Sequence, residues 1–261
     1  RISSDGNANG IRQDLSGFLI GAARHWKNFD VGATAGSVHV GATRTAPGDS
    51  RLSATMWQVG GYASTAIGKG ARAGLLLGYT QGPVNFTNSS VLGTATARAT
   101  TQLFSAQARA SWSEDLGGGN SFTPVASLNA VTVHLGQLSE AGTGPMGLVV
   151  PVQDTSTVNA RMQFRFDHTW TARGVEWSAS SSFGLQQMLV QPDKSLTVSY
   201  AGISGTGFAV EGIQADRTAA LLGVGLTAQL SDRASMEVAY RGTFGSRTNE
   251  NALQGKLVIR L

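Results

Sequence analysis

The chain has 261 residues, with 20 Lys and Arg against 16 Asp and Glu, so its formal net charge is +4 and its sequence pI is near 9.8. Charged residues make up only 14%, well below the roughly 25% of ordinary soluble domains, while the 34 glycines are about twice the usual share. A mean hydropathy of −0.04 without any apolar run near the ~18 residues of a spanning helix excludes a helical membrane protein; 41% apolar content argues against disorder, and zero Cys excludes disulfides, thiolate zinc sites and cysteine nucleophiles.

Period-two alternation, the pattern of a strand whose two faces meet different solvents, recurs along almost the whole chain. It marks eleven segments, roughly 18–26, 29–43, 53–66, 71–85, 99–113, 121–137, 155–170, 175–189, 218–230, 235–246 and 252–261. In the fifth, Phe104, Ala106, Ala108, Ala110 and Trp112 oppose Ser105, Gln107, Arg109 and Ser111. In the seventh, Met162, Phe164, Phe166 and Trp170 oppose Arg161, Gln163, Arg165 and Asp167. Near the end, Leu222, Val224 and Leu226 oppose Gly223, Gly225 and Thr227, and Met236, Val238 and Tyr240 oppose Glu237 and Arg241.

The connections alternate in length. Short ones fall at Lys27 and Asn28, 67–70, 114–120, 171–174 and 231–234; long ones fall at 44–52, 86–98, 138–154 and 190–217, with a medium one at 247–251. All the short connections therefore lie at one end of an up-and-down meander. Tight turns at one end and longer loops at the other are the layout of an outer-membrane β-barrel, so the expected fold is an all-β, antiparallel transmembrane barrel. Trp26, Trp112, Trp170 and Trp177 fall at the short-turn ends of their strands and Trp57 near the long-loop end of its own, the placement expected of interfacial aromatic girdles.

Alternation also assigns a polar face. Arg72, Arg109, Arg161, Arg165, Glu237, Arg241, Lys256 and Arg260 fall on it, and in a barrel it lines the lumen. These are the expected pore-lining residues. Catalysis and metal binding find no support. Asp167 and His168 are adjacent, and neighbouring strand residues point to opposite faces, so they form no dyad. His25, His39 and His134 lie on separate strands without ligand spacing. Gly117, Gly118 and Gly119 are followed by a strand, whereas a phosphate loop needs Lys and a helix start. No cofactor is expected, and basic residues spread one or two per strand do not form a nucleic-acid patch.

The C-terminal third resembles the translocator (β) domain of bacterial autotransporters, type V secretion. The resemblance rests on an ordered set: the run Phe208 to Gly212, Asp216 with Arg217, the run Ala220 to Leu226, the run Val238 to Gly242 and the run Gly255 to Leu261. The run Ser16 to Gly21 is similar to that family's second strand, which extends the likeness to essentially the whole chain. Gln214 stands where the family has Pro, and Leu261 where it ends on Phe or Trp.

The resemblance implies a barrel of twelve strands with a helix threaded through its pore, of which about eleven strands are visible here. It implies one domain, 1–261, with 1–15 as a loop tail or remnant and the first strand truncated. It implies an outer-membrane location and a barrel that anchors an N-terminal passenger and provides or shares its export route. The partners implied are membrane lipid, the passenger and the barrel-assembly machinery acting on the C-terminal strand, with the barrel itself a monomer. A porin-like diffusion channel is the alternative. A competing reading makes Ile11, Leu15, Phe18, Leu19, Ala22 and Trp26 the apolar stripe of a pore helix, at a cost of about 1 kcal/mol each for Gly17 and Gly21. A further strand would then come from splitting 195–213 into Leu196 to Tyr200 and Phe208 to Gly212. The truncated-strand reading is favoured.

Overall fold

A computed structural model describes residues 2–3, 10–44, 50–90, 93–193, 195–203 and 205–259. The strands in chain order are β1 (Ile11–Trp26), β2 (Phe29–Arg44), β3 (Ser50–Ala66), β4 (Ala71–Ser90), β5 (Gly93–Trp112), β6 (Glu114–Gly117), β7 (Asn120–Leu135), β8 (Leu138–Ser139), β9 (Leu148–Val150), β10 (Gln153–Ala172), β11 (Val175–Val190), β12 (Ser195–Tyr200), β13 (Phe208–Glu211), β14 (Thr218–Ser231), β15 (Ala234–Phe244) and β16 (Asn249–Ile259). Eleven of them form one curled antiparallel sheet in the order β1-β2-β3-β4-β5-β7-β10-β11-β14-β15-β16, with β6 paired to the start of β7. All eleven expected segments are strands of this sheet.

Two of the tight hairpins follow directly from local chemistry. Lys27 closes β1 to β2 at φ 48°, and Arg173 with Gly174, at φ 53° and 76°, closes β10 to β11. Positive φ at the turn matches the twist of the flanking strands. Registers then carry one face across the sheet. Leu77 faces Ala106, Ala106 faces Ala130 and Ala130 faces Val158; Phe164 faces Phe183, Phe183 faces Leu222 and Leu226 faces Val238. This face is apolar and bare. Val224 is 57% exposed and Leu253 79%, and no large side chain among the described residues is fully buried. An exposed apolar surface of this extent needs an apolar solvent. No helix among the described residues could cross a membrane; the strands present the lipid-facing band.

Three features differ from the sequence expectation. β1 starts at Ile11, so residues 11–26 form a strand paired along their whole length with β2; the helical reading of this segment is overturned, because Gly17 and Gly36 bring the two backbones too close for an added Cβ. Residues 195–200 and 208–211 do form strands, yet they enter a separate four-stranded sheet, β13-β12-β9-β8, made from the two longest connections. Finally, β3 begins at Ser50, which leaves Trp57 in mid-strand.

The curled sheet has a seam. Among the described residues β1 pairs only with β2 and β16 only with β15, and both edge strands are exposed along nearly their whole length. β1 and β16 both run from the long-loop end to the short-turn end, so they would meet in parallel in an otherwise antiparallel sheet. At the long-loop end the seam is spanned by Ile2 and Ser3. The Ile2 N–H donates to the Ile11 carbonyl at 2.8 Å, the Ile11 N–H returns to Ile2 at 2.9 Å, and the Ser3 N–H reaches the Arg247 carbonyl at 2.9 Å.

Candidate functional site

One face of the curled sheet carries the polar residues that alternation assigns to it. Arg109 on β5 lies opposite Gly74 on β4 and Ser127 on β7, and Arg161 on β10 lies opposite Ser127 and Gln186. Arg165 lies opposite Thr123 and Ser182, while Arg241 on β15 lies opposite Gly223 and Ala252. Glu237 faces Lys256 directly. The neighbours are small, and at Gly223 nothing larger fits, because a Cβ there would come within 2.6 Å of Ser182 Oγ. Arg260 lies outside the described residues.

The wall pairs some cations locally. Arg165 grips Asp167 through Nε at 2.8 and 2.9 Å and through a terminal nitrogen at 2.6 Å, a charge-assisted fork. Near the short turns Arg72 pairs with Asp30, which also accepts from Ser64 at 3.3 Å and meets His25 Nδ1 at 2.5 Å. Arg161 Nε donates to Gln186 Oε1 at 2.6 Å. Arg109 lies within electrostatic reach of Arg165 and Arg241, and Arg161 within reach of Arg241 and Glu250. Asp30 and Ser64 of the short-turn cluster went unread in the sequence, and His25 drew notice there only for lacking ligand spacing. Their only signal is that each falls on the polar face of a neighbouring strand.

The opposite face carries the aromatics. Trp26 ends β1, Trp112 ends β5, and Trp170 faces Trp177 across β10 and β11. Trp57 contacts Tyr79 at 5.3 Å, and Tyr79 contacts Phe104 at 4.7 Å, a cluster of which alternation had singled out Trp57 alone. Arg24 shares this face, its guanidinium 5.2 Å over the Trp26 ring. Asp167 and His168 part as strand geometry requires, with His168 Nδ1 turned to Asn120 Oδ1 at 2.9 Å. Among the described residues no three His, Asp or Glu converge as metal ligands.

At the long-loop rim, Asp216 organises the β15–β16 connection. It accepts from Ser246 Oγ at 2.5 Å and from the Arg247 and Thr248 N–H groups at 2.7 Å each. Partial burial pushes its carboxyl up, yet these hydrogen bonds together outweigh that and hold it below the usual carboxylate range.

Comparison with known proteins matches this geometry. A family profile described as "Autotransporter beta-domain" matches residues 1–241. The translocator domain of autotransporter NalP from Neisseria meningitidis superposes with a TM-score of 0.79 at 11% identity, over 97% of this chain and 83% of that one. The β domain of the Bordetella autotransporter BrkA gives 0.74 at 16% identity, over 97% and 92%. The transport unit of AIDA-I from Escherichia coli gives 0.65 at 12% identity, over 98% and 86%. No curated protein matches the chain.

Proposed function

Because this chain belongs to the autotransporter β-domain family, it is a barrel of the bacterial outer membrane that exports a linked passenger, and we propose that its charged wall is the surface past which that polypeptide lies. The observation that supports the reading is the common facing of Arg72, Arg109, Arg161, Arg165, Glu237, Arg241 and Lys256 on one side of one continuous register. Arginines on the lipid side at mid-membrane would cost about 2 to 4 kcal/mol each, whereas a hydrated lumen accommodates them. A porin-like channel shares the wall but is not better supported.

The same reading makes Trp26, Trp112, Trp170 and Trp177 the girdle at the short-turn interface; Trp57 lies about nine residues along β3 from its short-turn end, the length in which a strand crosses the bilayer, so it stands with Tyr79 and Phe104 at the opposite interface while β3 runs on beyond it. It takes 1–261 as a single barrel domain that works as a monomer, with the β16 end offered to the assembly machinery. Autotransporter translocator domains are transport barrels rather than enzymes, and the parting of Asp167 from His168 supports a chain without catalysis of its own.

A thiol scan tests the wall. Cys introduced at 161, 165, 241 or 256 should react with a water-soluble maleimide in the membrane-embedded protein, and Cys at 164, 166, 238 or 257 should not. Equal labelling of both sets would overturn the lumen assignment.

A further inference from the structure

We infer that the outward side of β3, β4 and β5, beyond the Trp57, Tyr79 and Phe104 cluster, binds the phosphorylated sugar headgroup of a lipid in the outer leaflet, with Arg51 and Arg98 holding its phosphate groups. The inference rests on the interface placement of that cluster and is independent of the lumen wall.

Three neighbouring strands change polarity at one level. Val59, Tyr79 and Phe104 form one cross-strand row, and towards the short turns the same face continues with Leu77, Ala106, Leu75 and Ala108. Towards the long loops the next row is Trp57, Gln81 and Gln102. Further out, Thr100 lies opposite Pro83, Asn85 lies between Ser53 and Arg98, and Thr87 lies between Arg51 and Thr96. The other face inverts in step: between these polar positions Ala54 and Val84 are only 2% and 5% exposed. An outward face that turns polar while its reverse becomes apolar and covered marks where the strands leave the hydrocarbon for the extracellular side.

The outward stretch is cationic and open. Arg51 and Arg98 are exposed, and neither has an ion-pair partner among the described residues. Among the described residues β2 to β5 place no Asp or Glu on this stretch. Asp14 and Asp154, on the same face of the flanking strands, are engaged by Arg12 at 3.9 Å and His134 at 2.7 Å. Only β4 separates the strands of the two arginines, so their guanidiniums flank one headgroup, and each presents the planar fork that suits phosphate.

Height narrows the occupant further. Each row advances two residues, so with strands tilted near 45° Arg98 stands about 9 Å above Trp57 and Arg51 about 14 Å. The headgroup layer of an ordinary bilayer is about 5 to 8 Å deep. A ligand that meets both arginines must therefore carry its phosphates on a taller headgroup, one built of sugar. Asn85, Thr87 and Thr96 offer amide and hydroxyl groups to the sugar between them.

Native mass spectrometry of the 261-residue chain folded in neutral detergent micelles tests this, with diphosphoryl lipid A as the probe. Lipid A should bind, phosphatidylglycerol should bind less well at equal concentration, and excess inorganic phosphate should not displace the lipid. R51Q/R98Q should weaken lipid A binding about tenfold or more, as expected when charge-assisted contacts are lost. The equal-charge control K69Q/R233Q, which alters only the short turns, should bind like the parent. Far-UV circular dichroism checks that each variant keeps its strands. Binding unchanged in R51Q/R98Q, an equal loss in the control, equal binding of phosphatidylglycerol or displacement by inorganic phosphate overturns the proposal. If a water-soluble maleimide then still labels S53C and spares L77C in lipid nanodiscs, the interface placement stands and only the headgroup site falls; if it does not, both fall.

Discussion

The Asp216 carboxylate accepts the Thr248 N–H at 2.7 Å, across 32 residues of sequence. This bond ties the last long connection to the loop between β15 and β16, and it belongs to a chain of rim contacts. Gln191 accepts from Gln214 and Arg217 at 3.0 Å each, Asp216 follows, and the Ser3 N–H closes onto Arg247.

Asp216 titrates in the direction that makes this rim acid-sensitive. Its carboxyl is held below its ordinary value of 3.8, so its contribution is present above that pH and is lost as pH falls through the lower, folded value. D216N keeps the shape but removes the charge and should weaken the loop by about 1 kcal/mol. Hydrogen exchange at Arg247 and Thr248 checks this: both amides should exchange faster in the variant at pH 7, and the difference should shrink towards pH 3.

Ile2 and Thr248 face each other at the seam as a bridge whose bond runs from Ser3 to Arg247, the arrangement in which facing side chains stand closest. The chain has no native Cys. I2C/T248C should therefore form a disulfide under mild oxidation and raise the temperature at which the folded band is lost on a gel. I2C paired with L253C should not cross-link.

Val224 sits at the middle of β14 on the apolar face, 57% exposed, while Thr227, opposite Glu237, belongs to the polar face. V224R should cost about 2 to 4 kcal/mol in bilayer unfolding titrations and T227R much less. Similar losses would contradict the two-faced wall.

The Trp57, Tyr79 and Phe104 cluster spans three neighbouring strands. W57A removes both interfacial burial and ring contacts, so a loss of about 1 to 2 kcal/mol is expected in the same titration. Tyr79 fluorescence should also recover once its neighbouring Trp acceptor is gone.

Which residues share a face was readable from the chain alone, because the strand period of two is a property of consecutive backbone units and needs no partner. Arg161 with Arg165, or Leu222 with Val224, are placed by parity before any sheet exists. The alternation of short and long connections likewise set the meander, and the motifs from Phe208 onward set the family. Tertiary structure decided what depends on partners remote in sequence. Ile11 to Leu15 became strand because β2 offered a matching edge; 195–200 and 208–211 paired with the 138–150 connection rather than with the wall; and Arg72 gained Asp30 from 42 residues away while Arg109 gained no carboxylate within ion-pair distance among the described residues. Such choices turn on strand order and register, which are set across the whole sheet and are invisible to any local pattern.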